Sequence, residues 1–151
     1  MHHPIHSLDT YHSGSRVMAE VLAEAVTAAR RAPEMVVAGH VHNYQRFTVT
    51  EEAGVTPFIV GGNGGCHNLH KMAMIDGSDL VTPFSVPNDG AVVLERYVDD
   101  RFGFQRLEIT RDAIELRAMT VPRPQEKWRT SPRLHDRMRL DWRNRRLCCK
   151  R

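Results

Sequence analysis

Cysteine is scarce: there are three in 151 residues, and Cys148 and Cys149 are adjacent. A neighbouring pair bridges poorly and an odd count leaves a thiol over, so no disulfide framework is expected. No apolar run approaches the roughly 20 residues that a membrane helix needs, so no span is expected. The opening MHHPIHSLDTYHSG has no apolar segment of the kind that marks a secretory signal. Internal repeats are absent, as is any recognised nucleic-acid module. What remains is an ordinary globular composition, 41% hydrophobic and 26% charged, of about one-domain length.

The net charge of +3 hides two opposite parts. Residues 1–126 carry 11 Lys/Arg against 16 Asp/Glu, whereas 127–151 carry 10 against 2. The division expected is a domain over 1–125 and a flexible basic tail over 126–151. Such a tail could touch nucleic acid or an anionic surface. With no binding module around it, a solvated end is the expectation and nucleic acid is not an expected partner.

Ser13–Arg31 reads as a helix. Ser13 or Ser15 can cap it, Val17, Met18, Val21, Leu22, Ala25, Val26 and Ala29 form an apolar stripe, and Pro33 stops it. MVVAGH then reads as a buried strand. Gln45–Thr50 alternates as a strand, Thr56–Val60 follows the Gly54 turn, and GGNGG (61–65) needs unusual backbone angles. Residues 66–89 read as a long polar surface loop. Strand patterns return over Ala91–Val98, Gly103–Ile109 and Ala113–Val121, with turns at Asp99–Asp100 and Arg111–Asp112, which predicts a β-meander. Past Pro122 and Pro124 no strand pattern is visible. The fold class expected is α/β (α+β), mostly strands with one principal helix.

Eight of the nine histidines lie within residues 2–70: His2, His3, His6, His12, His40, His42, His67 and His70. Histidine is the commonest metal ligand and a proton-transfer group near neutrality. In Gly39-His40-Val41-His42, imidazoles at i and i+2 on an extended segment project to one face, and Gly39 lets the backbone turn as the strand ends. His2-His3-Pro4 adds a second donor group, because proline biases the residue before it to an extended shape.

Taken together, HHPIHSLDTYHSG, the helix, VVAGHVHNYQR and FIVGGNGG resemble the C-terminal half of calcineurin-like metallophosphoesterases, in particular the purple acid phosphatase-like branch. FGFQRLEITRDAIELRAMTV is similar to that family's terminal β-hairpin. The resemblance covers about residues 1–121. It implies the C-terminal half of a four-layer αββα sandwich. It also implies a metal-dependent phosphoric ester hydrolase with two metal ions (Fe, Zn or Mn) and a phosphate ester substrate. On the matching positions, His2 and His40 would bind one metal, His42 the other, and His12 would protonate the leaving group. His3 occupies a position implied to lie behind the ligands.

The family's earlier motifs, D-x-H, G-D-x-x-D and G-N-H-D/E, are absent from the sequence. A truncated form lacking the N-terminal metal-binding motifs is therefore expected, with at most weak metal binding and doubtful activity alone. Alternatives are a non-catalytic piece completing a site with another chain, such as the missing N-terminal half, and an anionic-surface binder acting through the basic tail. His67 and His70 could touch substrate or, with Cys66, form a small metal site; surface loop residues are the plainer reading. His6 reads as a loop residue near the cleft. Tyr11 and Tyr44 line the mouth of the site or, for Tyr44, pack beneath it. Arg46 is a phosphate partner on charge grounds or a salt-bridged strand residue.

Overall fold

The fold is described from a computed structural model covering residues 1–65 and 67–148. The expectations placed on Cys66 and on the Cys148–Cys149 pair lie outside the described residues.

The chain is mostly β, with one helix and two sheets, as an α+β fold. Helix α1 spans Arg16–Ala29. The Ser15 hydroxyl accepts from the Met18 amide at 3.2 Å, and Arg30 closes the helix in a left-handed conformation. The helix therefore ends before Pro33 is reached. Its apolar stripe covers less than the sequence promised. No α1 residue is buried, and Val17 and Val21 are 66% and 49% exposed. Leu22 and Val26 instead roof an open groove of about 600 Å³ above Phe58 and Val92.

The strands are β1 (Val36–Ala38), β2 (Tyr44–Glu51), β3 (Gly54–Gly61), β4 (Phe84–Ser85) and β5 (Val92–Val98), in a five-stranded sheet ordered β1-β3-β2-β5-β4. β1 runs parallel to β3, and the other pairings are antiparallel. A second sheet, β6-β7-β8-β9, is antiparallel throughout: β6 (Gly103–Ile109), β7 (Ala113–Thr120), β8 (Arg133–Asp141) and β9 (Arg146–Leu147). The first sheet is buried on both faces. One side packs Tyr44 and Ile59 against Leu116, Ala118 and Leu140 of the second sheet. The other packs Phe47, Val60 and Leu94 against Met72 and Leu80. Hence β2 is buried continuously from Tyr44 to Thr48 rather than alternating.

Three expectations are corrected. Residues 126–151 are not a strandless tail, because β8 and β9 lie within them. β8 turns Asp136, Met138 and Leu140 inward while Arg137 and Arg139 face Glu115 on β7. Its arginines masked this pattern in the sequence. Arg129 and Arg143 of the same segment meet Glu126 and Asp112, so four of its cations have an acidic partner. Strands β5, β6 and β7 are not one meander: β5 pairs with β2, and the chain changes sheets at Asp99–Asp100 before the β6–β7 hairpin. Finally, 66–89 is more than surface loop. It carries β4, and Met72 and Leu80 are 6% and 5% exposed in the core. No helix among the described residues is long and apolar enough to cross a membrane.

A buried polar brace ties the sheets together. Arg46 on β2 forms a two-pronged pair with Asp136 on β8, Nε to Oδ2 at 2.6 Å and Nη2 to Oδ1 at 3.1 Å. The Tyr44 hydroxyl donates to the same carboxylate at 2.7 Å. Burial pushes the Asp136 pKa up, but the hydrogen bond and charge of Arg46, with help from Tyr44, outweigh it and hold the carboxyl below its ordinary value of 3.8. Tyr44 and Arg46 thus lie inside the sandwich, and the salt-bridged reading of Arg46 is the one observed.

Candidate metal centre

The histidines gather where β1 ends. After Ala38 the backbone makes a three-residue turn, with the Val41 amide donating to the Gly39 carbonyl at 2.7 Å. His40 sits at its centre with φ of 60°, a conformation that non-glycine residues rarely adopt. The turn differs from the extended segment the sequence suggested, yet its result is similar. Val41 and Asn43 are fully buried, while His40 and His42 remain half-exposed. Gly62 lets the chain cross close behind this turn: a Cβ there would meet the Val41 carbonyl oxygen.

The first residues lie along the edge of β1. The Met1 amine donates to the Val37 carbonyl at 2.9 Å, and the Gly39 amide donates to the His2 carbonyl at 3.1 Å. This register brings His2 Nε2 within 3.0 Å of His40 Nδ1. His3 packs against both, with ring centroids 4.8 Å from His2 and 4.0 Å from His40. The donor atoms of His2, His3 and His40 all lie within 4.8 Å of one another.

From His40 the cluster continues through His12, centroid 4.7 Å away, to His70 at 5.2 Å from His12, and on to His42 at 4.5 Å from His70. Asp9 organises this half. Its Oδ1 accepts from the Tyr11 and His12 amides, both at 2.8 Å, and its Oδ2 accepts from Asn43 Nδ2 at 3.2 Å. Oδ2 also faces His70 Nδ1 at a longer 3.4 Å. The Asn68 carbonyl, 2.9 Å from His42 Nδ1, can only accept, so it fixes the proton on Nδ1 and leaves Nε2 free to bind an electrophile.

At His40 and His70 the electrostatics favour the neutral ring. Burial lowers the pKa of His40, and the neighbouring His3, His12, His2 and His42 lower it further. Burial likewise lowers His70; Asp9 opposes this, while His42 and His12 add to it. Neutral imidazole is the form that ligates metals. The donor set of His2, His3 and His40 fits one ion of the zinc type, whereas His42 has no comparable set of donors around it among the described residues.

Of the residues expected at the site, His2, His12, His40 and His42 come together. His70 joins them, but as a buried ring beside Asp9 with only 6% exposure, not as a substrate contact at the surface. His67 is exposed and makes no ring contact with the cluster among the described residues. His6 lies elsewhere: it packs on Phe58 beneath α1, and burial lowers its pKa against the opposing charge of Asp89. Tyr11 does stand at the mouth, 72% exposed with its ring 5.2 Å from His70. Asp9 and Asn43 were missed. The Asp three residues before His12 carries the signal of a side chain closing its own turn, which would have marked it as the organiser of that loop. Searches against protein-family models and curated proteins return no match to this sequence.

Proposed function

We propose that this chain carries the histidine-bearing part of a metal-dependent phosphoric ester hydrolase, of the kind its H-x-P and G-H-x-H motifs resemble. The observation that supports this reading is the convergence of His2, His12, His40 and His42, from three separated stretches of chain, on one accessible surface. His2 and His40 hold the ion in this reading, with His42 presenting Nε2 toward a second. When bound, such ions supply Lewis acidity toward phosphoryl oxygens and a nucleophilic water at neutral pH.

The chain's own residues do the rest. Asp9 pins the backbone of His12, so that its ring stands beside His40 and can give a proton to the departing oxygen. His70, buried behind, packs against both the His12 and the His42 rings. The test is hydrolysis of p-nitrophenyl phosphate with added Mn, Fe or Zn, using His40→Ala purified identically as control. Turnover lost in the variant is the expected result; equal background in both overturns the reading for this chain alone.

A second reading has one observation in its favour. Among the described residues the one carboxylate in contact with the cluster, Asp9, is buried and already bonded to Asn43 and two amides. In this reading an acidic partner chain completes the site, and activity appears only on mixing the two.

A further inference from the structure

We propose that His3 is a metal ligand in its own right, so that His2, His3 and His40 form a three-imidazole site that this chain completes without any carboxylate. The inference rests on the reading that His2 and His40 bind a metal, and it changes what that site needs from elsewhere.

The geometry carries it. A tetrahedral ion with bonds of roughly 2.0–2.1 Å holds its donor atoms about 3.3 Å apart. The closest pair here, His2 Nε2 and His40 Nδ1, is 3.0 Å apart, and every pair among the three residues lies within 4.8 Å. Closing the set therefore takes shifts of about an ångström. His2 and His3 are exposed and free to make such shifts, while His40 is held in its turn. The three rings meet edge to face, at interplanar angles of 76°, 69° and 63°, so they converge without stacking.

The backbone is braced on both sides of His3. The Gly39 amide holds the His2 carbonyl, and the Pro4 carbonyl accepts from the Ser15 amide at 2.8 Å. Proline itself restricts His3 to an extended conformation. The crowding is thus built by the chain path and not by chance side-chain rotation.

Chemistry selects the ion. Three neutral imidazoles suit Zn²⁺ or Co²⁺ and discriminate against Mg²⁺ and Ca²⁺, which prefer oxygen. Three nitrogens leave a fourth position open, the arrangement of catalytic rather than structural zinc. With no carboxylate among the donors, the bound ion keeps its full double positive charge, so the open position favours an anion.

The test is Co²⁺ titration of the metal-free chain, followed by visible d–d absorption and by calorimetry with Zn²⁺. The expected result is one equivalent bound, with the intense spectrum of a four-coordinate site. His3→Ala should weaken binding by more than the roughly 10–100-fold that loss of an outer partner costs. His3→Cys should restore binding and add a sulfur-to-cobalt charge-transfer band, which only direct ligation produces. His67→Ala should leave the titration unchanged. Parent-like binding by His3→Ala, with binding lost in His2→Ala and His40→Ala, overturns the role of His3 and leaves the two-histidine reading intact. No Co²⁺ binding by the parent chain overturns both. Intact three-histidine binding without p-nitrophenyl phosphate turnover upholds this site and removes only the hydrolase reading.

Discussion

Removing the Asp136 carboxylate is the sharpest perturbation of the fold. Asp136 and Arg46 are 6% and 8% exposed, so neither charge is screened by water. Asp136→Ala deletes three hydrogen bonds, two from Arg46 and one from Tyr44, and leaves a guanidinium inside the sandwich without a counter-charge. Breaking a buried pair from one side costs about 3–5 kcal/mol. For a urea m-value of about 2 kcal/mol/M, the midpoint should fall by roughly 1.5–2.5 M. The double variant Arg46→Met with Asp136→Leu should recover most of that loss, because the penalty comes from the stranded charge. The pH dependence has a definite sign. The folded pKa of Asp136 lies below its unfolded value near 3.8, so its stabilisation is fully present above that value. Parent and Asp136→Ala should therefore differ by a constant amount between about pH 5 and 8. The gap should narrow in acid, as the pH falls through the depressed folded pKa. A midpoint shift worth less than about 1 kcal/mol would refute the argument that the pair is desolvated.

Three further outcomes test the site's scaffold. His40→Gly should be more stable than His40→Ala by about 1 kcal/mol in thermal or urea unfolding, since only the β-carbon suffers at a φ of 60°; equal stabilities would show that the turn is not strained. Gly62→Ala should lose about 1–3 kcal/mol and also weaken Co²⁺ binding, because its new methyl group drives against the Val41 carbonyl inside the His40–His42 turn. Asp9→Ala should destabilise by about 1–3 kcal/mol, leaving buried donors unmet. It should also collapse hydrogen-exchange protection of the His12 amide, and unchanged protection there would mean that Asp9 does not hold the loop.

How much of this was legible in the sequence follows from the range of each interaction. α1 and strands β2, β3, β5, β6 and β7 lie within a few residues of where the local sequence pattern puts them, although β2 does not show the alternation expected of it. β8 does not, because its inward Asp136 makes sense only beside Arg46, ninety positions earlier. The move between sheets at Asp99–Asp100 looks like any hairpin turn from sequence, since pairing partners are set by packing and not by the turn. The same divide runs through the cluster. His2, His12, His40 and His42 stand in recognisable strings, whereas His70 enters only because Asn68 and Asp9 hold its loop against the turn.

The free edge of β1 links chemistry to colloidal behaviour. Among the described residues β1 has a strand neighbour on one side only, and on the other its Val37 carbonyl and the Gly39 amide just beyond it are covered by Met1 and His2. An uncovered edge is a template on which other chains can add. An ion held by His2 and His40, as proposed above, would fasten that cover as well and so double as a clasp on the sheet. In the metal-loaded chain that the proposal expects, a chelator should raise the tendency to assemble edge to edge before it alters the folded core, visible as light scattering that grows while the far-ultraviolet spectrum stays constant.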